Sequence, residues 1–321
     1  MSALSICVLG GTGFVGSRLV TRLVAAGHRV KVLTRNRERH RHLLVLPELN
    51  LVNANVHDAG GLALQFKSVD VVINLVGILN ERGHGGSGFH TAHTELARKV
   101  AATCRSAGVT RLLHMSSLGA DAQAGPSHYL RTKGEAEQVI RTECADAVDF
   151  VIFRPSVMFG PGDSFVTRFA RLLRLVPLVF PLARAPARFA PVYVGDVVEA
   201  MLRSLPGGAA SERSLELCGP DVMTLREIVA FTARTLRLRR WIVGLPDFLA
   251  RIQGVVLGLV PGKPFSLDNF RSLTVDSVCR ENGFAVLGIE PQSMPGIVRQ
   301  YLGAKSSAGL LDDFRESARR T

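Results

Sequence analysis

The chain has 321 residues, of which 47% are hydrophobic and 21% are charged. This composition excludes a disordered protein, and the length suffices for one large α/β domain or for a core domain with a smaller appendage. The net charge of +12 does not indicate a nucleic-acid partner, because its arginines are spread along the whole chain and no nucleic-acid-binding motif accompanies them.

The N-terminal segment carries the strongest motif. The apolar run Ser5–Leu9 leads into a glycine-rich turn and then into a segment with helical apolar spacing. A strand, a glycine turn and a helix in this order predict a dinucleotide site, with the pyrophosphate on N–H groups at the positive end of the helix dipole. The predicted cofactor-binding residues of this turn are Gly10, Thr12, Gly13, Phe14, Val15 and Gly16.

The apolar pattern up to residue 154 alternates between strand-like and helix-like segments. It predicts an α/β fold, a Rossmann-type doubly wound parallel sheet with a smaller α/β substrate-side lobe. The predicted strands are 4–9, 29–34, 50–55, 70–76, 110–116 and 148–154, and the helices start near 14, 37, 60, 89 and 127. We expect a dinucleotide-binding core at 1–154, an interleaved lobe at 155–303 and a flexible tail at 304–321. Within the lobe, the pattern predicts short strands at 191–194 and 214–217 and helices at 196–204 and 224–236.

Residues after the second strand bear on the choice of cofactor. NAD sites usually place Asp or Glu there, whereas this chain has Arg35 and Asn36. A guanidinium suits a 2′-phosphate through charge-assisted hydrogen bonds, so NADP(H) is favoured over NAD(H); the alternative is a surface arginine. We expect Asp58 to face the adenine, and Val76 and Gly77 to run under the cofactor.

A second motif lies on the helix after the fifth strand. Tyr129 and Lys133 stand four residues apart and project from one helical face, near Ser116 and Ser117 at the end of that strand. The ammonium group is expected to lower the pKa of the phenol, so that Tyr129 exchanges a proton with a carbonyl or alcohol. Ser116 or Ser117 would hydrogen-bond the same oxygen, and Lys133 would also hold ribose hydroxyls.

Several other features allow weaker interpretations. His90 and His93 lack a completing set of ligands, so we expect no metal site. The five cysteines are scattered without CxxC spacing and predict neither a disulfide framework nor a zinc site, as in a reducing compartment. The stretch 165–188 is either an ordinary helix with a solvated face or a basic amphipathic surface for anionic lipid or an acidic partner. The stretch 241–261 indicates a buried or interfacial helix, too interrupted to span a membrane.

Together these residues resemble the short-chain dehydrogenase/reductase (SDR) superfamily, of the extended or atypical branch. Three later segments match landmarks of that branch, and the first implies cofactor contacts for Pro155 and Val157: Arg154–Asp163, Pro191–Val197 and Leu217–Pro220. The segments Ser127–Glu135 and Phe265–Asp276 resemble the NADPH-binding accessory subunit of respiratory complex I and its bacterial relatives. A ubiquinone-biosynthesis accessory protein belongs to the same atypical group.

The resemblance implies two functions. The first is an NADP(H)-dependent oxidoreductase acting on a hydrophobic carbonyl or alcohol, with a quinone-related compound as one option. The second is a non-catalytic NADPH-binding accessory or assembly protein of complex I or of a ubiquinone-biosynthesis complex. The short interval from Ser116 to Tyr129 argues against a nucleotide-sugar epimerase or dehydratase. A cytoplasmic location is expected, with peripheral contact at the inner membrane as an option.

Overall fold

The computed structural model describes residues 3–81, 83, 85–208, 213–260, 263 and 265–302. The predicted tail at 304–321 lies outside these residues. The chain divides into two compact units, described separately below. The first comprises Met1–Arg154, Val197–Glu216 and Gly283–Ile289; the second comprises Pro155–Asp196, Leu217–Asn282 and the chain from Glu290 onward.

Thirteen strands lie within the described ranges: β1 (Ser5–Leu9), β2 (Arg29–Thr34), β3 (Leu49–Asn53), β4 (Val71–Asn74), β5 (Arg111–Met115), β6 (Asp149–Pro155), β7 (Met158–Phe159), β8 (Val179–Leu182), β9 (Arg188–Phe189), β10 (Val192–Tyr193), β11 (Arg213–Leu217), β12 (Met223–Thr224) and β13 (Trp241–Gly244). The α-helices in the same ranges are α1 (Phe14–Ala25), α2 (Ala59–Gln65), α3 (Ser87–His90), α4 (Leu96–Ala107), α5 (His128–Cys144), α6 (Val166–Leu175), α7 (Val194–Arg203), α8 (Leu225–Thr235), α9 (Asp247–Leu259), α10 (Leu267–Ser272) and α11 (Met294–Leu302).

The main sheet has seven strands in the order β11-β6-β5-β4-β1-β2-β3. All five pairs from β3 across to β6 are parallel. The central strands are buried on both faces, as their nearly continuous apolar sequences require. The order reverses between β1 and β4, which is the switch point where doubly wound sheets bind ligands. The predicted fold class is therefore confirmed.

The connection after β2 differs from the α-helix predicted near 37. It is a 3₁₀ helix, Arg37–Leu43, with a non-helical backbone at His40. Its six residues before Leu43 are all charged or histidine, and only Leu43 is buried. Without an apolar stripe to pack on the sheet, tertiary contacts do not stabilise a regular α-helix here.

The second unit contains three two-stranded sheets, β7–β10, β8–β13 and β9–β12. Its apolar core includes Phe159, Leu173, Ile228 and Val298. The prediction that no cysteines pair is wrong, since Cys218 and Cys279 form a disulfide across 61 residues of sequence. Pairing at that separation depends on the fold, which brings the two Cα atoms to 6.0 Å. Cys7, Cys104 and Cys144 are free and buried.

Candidate active site

The β1–α1 turn is mostly glycine, so a ligand can approach its backbone closely. Gly10 has a left-handed backbone with φ of +77°. A Cβ atom on Gly16 would lie 2.3 Å from the carbonyl oxygen of Gly10, so only glycine permits this helix to approach the turn. Helix α1 begins after Gly13 with no acid in its first turn and, among the described residues, with no side-chain cap. These exposed helix-terminal amides fit a pyrophosphate.

The remaining residues of this turn differ in what they present. Thr12 and Phe14 are half-buried, whereas the side chain of Val15 is buried, so its backbone amide is the group left for a ligand. The Arg18 guanidinium lies 4.8 Å from the Phe14 ring centroid and donates to the Phe14 carbonyl oxygen at 2.9 Å. The first turn is therefore stiffened next to a cation, which favours an anionic ligand.

Arg35 and Asn36 follow β2 and are both exposed. The Asn36 side chain accepts a hydrogen bond from the Arg39 amide and caps the 3₁₀ helix. The nearest acid, Glu38, is paired with Arg41. Burial lowers the pKa of His57, and the positive charges of Lys99 and Arg35 add to this effect. Positive charge therefore dominates the end of β2.

Asp58, Val76 and Gly77 lie at the ends of β3 and β4. The exposed Asp58 carboxylate accepts from the Gly60 amide at 3.1 Å and caps α2. The Val76 amide donates to the side-chain oxygen of Asn74 at 3.1 Å. Gly77 is exposed, and a Cβ atom there would lie 3.2 Å from Lys133 Nζ. The end of β4 is therefore directly next to Lys133.

The two candidate serines face different groups. The Ser116 hydroxyl donates to Glu137 Oε1 at 2.6 Å, and Glu137 also pairs with Arg154 and Arg141. Ser117 Oγ is buried without a well-formed hydrogen bond among the described residues, and it is close enough to the Tyr129 phenol to lower the pKa of that group. Ser117, and not Ser116, therefore accompanies Tyr129.

Lys133 is almost completely buried, and its ammonium donates to the Met115 carbonyl oxygen at 2.8 Å. Burial lowers the pKa of Lys133 to about 8, against the raising effect of the Glu137 carboxylate. At neutral pH the side chain is therefore a buried cation at the ends of β4 and β5.

The lowered pKa predicted for Tyr129 is wrong for this structure. Burial raises the pKa of the phenol above its ordinary value, and the nearby Ser117 hydroxyl offsets only part of that effect. The Lys133 ammonium donates to the Met115 carbonyl oxygen, and its charge does not overcome the effect of burial on the phenol. Tyr129 is consequently protonated at neutral pH, and as such is a proton donor.

Sequence reasoning missed the role of His93, which lies in a π-helical turn, Thr91–Glu95, between α3 and α4. Its Nε2 accepts from the Ile78 amide at 3.2 Å, so the proton is on Nδ1, which donates to Thr132 Oγ1 at 2.9 Å. Its ring contacts the Tyr129 ring edge-on, with centroids 5.4 Å apart. His93 therefore orients α5 and the phenol.

A second buried histidine, His114, accompanies this group. Burial and the Lys133 charge lower the pKa of His93 to about 2 and that of His114 to about 3. His114 Nδ1 lies 3.3 Å from Asn74 Nδ2, which donates to it. The sequence shows His93 in a helical segment and His114 near the end of β5, but only the tertiary contacts make both histidines neutral.

Pro155 and Val157 belong to the second unit. Pro155 ends β6 and is buried, and the Val157 carbonyl oxygen accepts from the Val192 amide at 3.0 Å. Their contact with a cofactor stays a prediction.

A family model described as "NAD dependent epimerase/dehydratase family" matches residues 6–214. The chain belongs to this family. The resemblance to SDR proteins inferred from the motifs is thereby confirmed, and the match includes the glycine turn and the Tyr129–Lys133 segment.

Curated relatives extend the likeness over most of the chain. The mitochondrial NADH dehydrogenase (ubiquinone) 1 alpha subcomplex subunit 9 of Arabidopsis thaliana is 28% identical over 94% of this chain and 78% of its own length. The ceramide reductase of Caulobacter vibrioides is 27% identical over 75% of this chain and 74% of its own.

A solved structure agrees with the fold. MoeE5 in complex with UDP-glucuronic acid and NAD superimposes with a TM-score of 0.70 at 20% identity, covering 98% of this chain and 99% of the other. Within the described part of our chain, no helix combines the length and apolar character needed to cross a membrane.

The buried histidines make stability dependent on pH. In the unfolded state His93 is protonated below its ordinary pKa of about 6.5. In the folded state it stays neutral down to about pH 2. The unfolded state then binds more protons, so the free energy of unfolding falls as pH falls, by up to ~1.4 kcal/mol per pH unit for each such group. Denaturant titrations from pH 7 to pH 4 should give a smaller slope for His93→Gln than for the wild type. His42→Gln, at an exposed position, is the control, and an unchanged slope in His93→Gln would contradict the assignment.

Proposed function

We propose that the protein is an NADP(H)-dependent oxidoreductase that interconverts a hydrophobic carbonyl and its alcohol, with quinone-related compounds among the candidate substrates. The observation that carries the proposal is the grouping of Ser117, Tyr129 and Lys133 beside Gly77. A hydroxyl, a protonated phenol and a buried ammonium are the groups that such a reaction requires around one oxygen atom.

The glycine turn supports the cofactor part of the proposal. The pyrophosphate would lie on the amides at the start of α1, with Asp58 near the adenine and Gly77 under the nicotinamide half. When bound, the reduced nicotinamide would supply a hydride to the carbonyl carbon, and the oxidised nicotinamide would accept one from the alcohol carbon. Lys133 would hold the ribose hydroxyls, since its Nζ would lie 3.2 Å from a Cβ atom on Gly77, at the end of β4.

The chain's own residues would manage the substrate oxygen. In the direction of reduction, Tyr129 donates its phenolic proton to that oxygen, and Ser117 orients the oxygen by a hydrogen bond. Lys133 would stabilise the phenolate left behind, because a nearby cation favours the charged form. His93 acts only through position, by holding Thr132 and the edge of the Tyr129 ring.

Two further arguments favour a reductase over sugar-nucleotide chemistry. The interval between Ser117 and Tyr129 is short, which leaves little chain to enclose a nucleotide sugar. One curated relative covering most of the chain is named a ceramide reductase, and another is named a 2-alkyl-3-oxoalkanoate reductase. Both relatives are named as reductases of substrates that are not nucleotide sugars.

The alternative function is that of an accessory protein that holds NADPH without turnover. The likeness to complex I subunits extends over 94% of the chain, more than that to the ceramide reductase. On this alternative the bound dinucleotide stabilises the fold, and the protein associates peripherally with a respiratory or ubiquinone-biosynthesis complex at the inner membrane. The free thiols Cys7, Cys104 and Cys144 support a cytoplasmic location, whereas the Cys218–Cys279 disulfide counts against it.

NADPH consumption by the wild type distinguishes the two functions, and replacement of Tyr129 by Phe tests the proton donor. We expect Tyr129→Phe to lower kcat/KM for NADPH-dependent reduction of an apolar quinone or aldehyde by ~10²–10⁴-fold, because it removes the proton donor. NADPH affinity should change by less than about threefold, since the ring and its packing remain. The assay follows NADPH consumption over a panel of such substrates, together with a fluorescence titration of NADPH.

Ser117→Ala and Ser116→Ala form a matched pair for the same assay. Ser117→Ala should lower kcat/KM, whereas Ser116→Ala should lower the free energy of unfolding by ~1–3 kcal/mol while sparing turnover, because it leaves buried Glu137 short of a donor. Undiminished turnover in Tyr129→Phe would contradict the role of Tyr129 as the proton donor, whereas a wild type that binds NADPH and consumes none over the whole panel would favour the accessory protein.

Arg35 tests the preference for NADP(H). Arg35→Ala should weaken NADPH binding by ~10–100-fold, which corresponds to the loss of charge-assisted hydrogen bonds to a 2′-phosphate, and should change NADH binding by less than about threefold. Arg39→Ala, an exposed arginine on the 3₁₀ helix, is the control in calorimetric titrations of both dinucleotides. Equal losses for NADPH and NADH would refute the assignment of the 2′-phosphate to Arg35.

A further inference from the structure

Helix α9 of the second unit is built with its large side chains outward. Ala250, Gly254 and Gly258 recur every four residues and are buried, and a Cβ atom on Gly254 would lie 3.3 Å from the Leu267 amide nitrogen. The opposite side carries large apolar residues that are mostly half or more exposed, at spacings of one helical stripe: Phe248, Ile252, Val255, Val256 and Leu259. A stable monomer in water would bury this side, so α9 is shaped for a partner.

The neighbouring two-stranded sheet extends the same apolar surface. In the parallel pair β8–β13, Trp241 lies beside Val179 and Val243 lies beside Pro181, and all four are exposed. Trp241 is 79% exposed. Gln253 of α9 donates to the Pro181 carbonyl oxygen at 3.3 Å, so helix and sheet adjoin. We call this surface the apolar face; it consists of Leu175, Leu178, Val179, Trp241, Val243, Phe248, Ile252, Val255, Val256 and Leu259.

Arginines are frequent in the two segments that form most of the apolar face, several of them directly beside its members in the sequence, and acids are nearly absent. The segments that form it, 165–188 and 237–260, contain one acidic residue, Asp247, which is paired with Arg184. Arg251 borders the α9 stripe and stacks over the Phe270 ring at 5.8 Å, which leaves its charge at the surface. The arginines of these two segments are Arg168, Arg171, Arg174, Arg184, Arg188, Arg237, Arg239, Arg240 and Arg251.

We propose that the apolar face is a docking surface for a lipid bilayer that contains anionic headgroups. Aliphatic and aromatic side chains on a broad face with a rim of arginines and an exposed tryptophan match the interface between acyl chains and headgroups. The arginines complement anionic lipid, and the near absence of acids removes repulsion. Within 165–188, helix α6 packs its apolar side into the core of the second unit, and only Leu175, Leu178 and Val179 join the apolar face. This inference uses none of the residues assigned to the dinucleotide, and it holds whether or not the protein catalyses a reaction.

Co-sedimentation of the full-length protein with vesicles tests the proposal. The probe is phosphatidylcholine with about one-third phosphatidylglycerol, compared with phosphatidylcholine alone. We expect the wild type to bind the anionic vesicles at least about tenfold more strongly than the neutral ones, and the difference to shrink in high salt.

Variants separate the apolar and charged contributions. The triple variant Ile252→Gln, Val256→Gln, Leu259→Gln should bind anionic vesicles at least about tenfold more weakly, because three apolar side chains no longer enter the bilayer. The double variant Arg237→Gln, Arg239→Gln should bind anionic vesicles more weakly than the wild type does, while its binding to neutral vesicles should be unchanged. The control Val45→Gln with Leu64→Gln changes two exposed apolar residues of the first unit and should bind as the wild type does.

Any one of three outcomes would overturn the proposal. The first is a wild type that remains in the supernatant with both kinds of vesicle. The second is a triple variant that sediments like the wild type, and the third is equal binding of the wild type to anionic and neutral vesicles. A wild type that forms dimers and ignores vesicles, with a monomeric triple variant in analytical ultracentrifugation, would assign the face to a second copy of the chain instead.

Discussion

The ammonium group of Lys133 is buried at the junction of β4, β5 and α5, and the chemistry of the site follows from this single charge. Burying it is unfavourable, as its pKa of about 8 reflects. Two groups compensate: the Met115 carbonyl oxygen accepts its hydrogen bond, and the Glu137 carboxylate favours its charged form. Gly77 completes the arrangement, because any side chain there would press on Nζ.

Burial, together with this cation, keeps the neighbouring histidines neutral. The Lys133 charge adds to burial in lowering the pKa of both His93 and His114. His93 can then accept from the Ile78 amide and donate to Thr132, which a charged imidazolium could not do. The phenol of Tyr129 is also neutral, with its pKa raised by burial. The site therefore contains a phenolic proton that can be given away and a buried cation four residues further along α5.

Much of this arrangement can be predicted from local sequence. The strand, glycine turn and helix at the N-terminus, and the spacing of four between Tyr129 and Lys133, are local patterns that the fold preserves. The alternation of apolar runs predicts the strands of the sheet from β1 to β6 because parallel strands are buried on both faces. The arginine at the end of β2 is likewise visible in the sequence.

What could not be predicted depends on contacts distant in sequence. Ser116 and Ser117 differ by one position, and the partner that distinguishes them, Glu137, lies 21 residues from Ser116. The raised pKa of Tyr129 comes from desolvation, which spacing does not report. Periodicity identifies the apolar stripe of α9, but only packing on α10 shows that its small residues lie inward. The pairing of Cys218 with Cys279 requires the folded second unit.

We infer that this chain contains one dinucleotide site, formed by the glycine turn and the surroundings of Lys133. Calorimetric titration of extensively dialysed protein with NADPH, repeated with NADH, tests it most directly. We predict saturable binding of one NADPH per chain, with NADH binding at the same site more weakly. The absence of saturable binding for both dinucleotides would contradict the account.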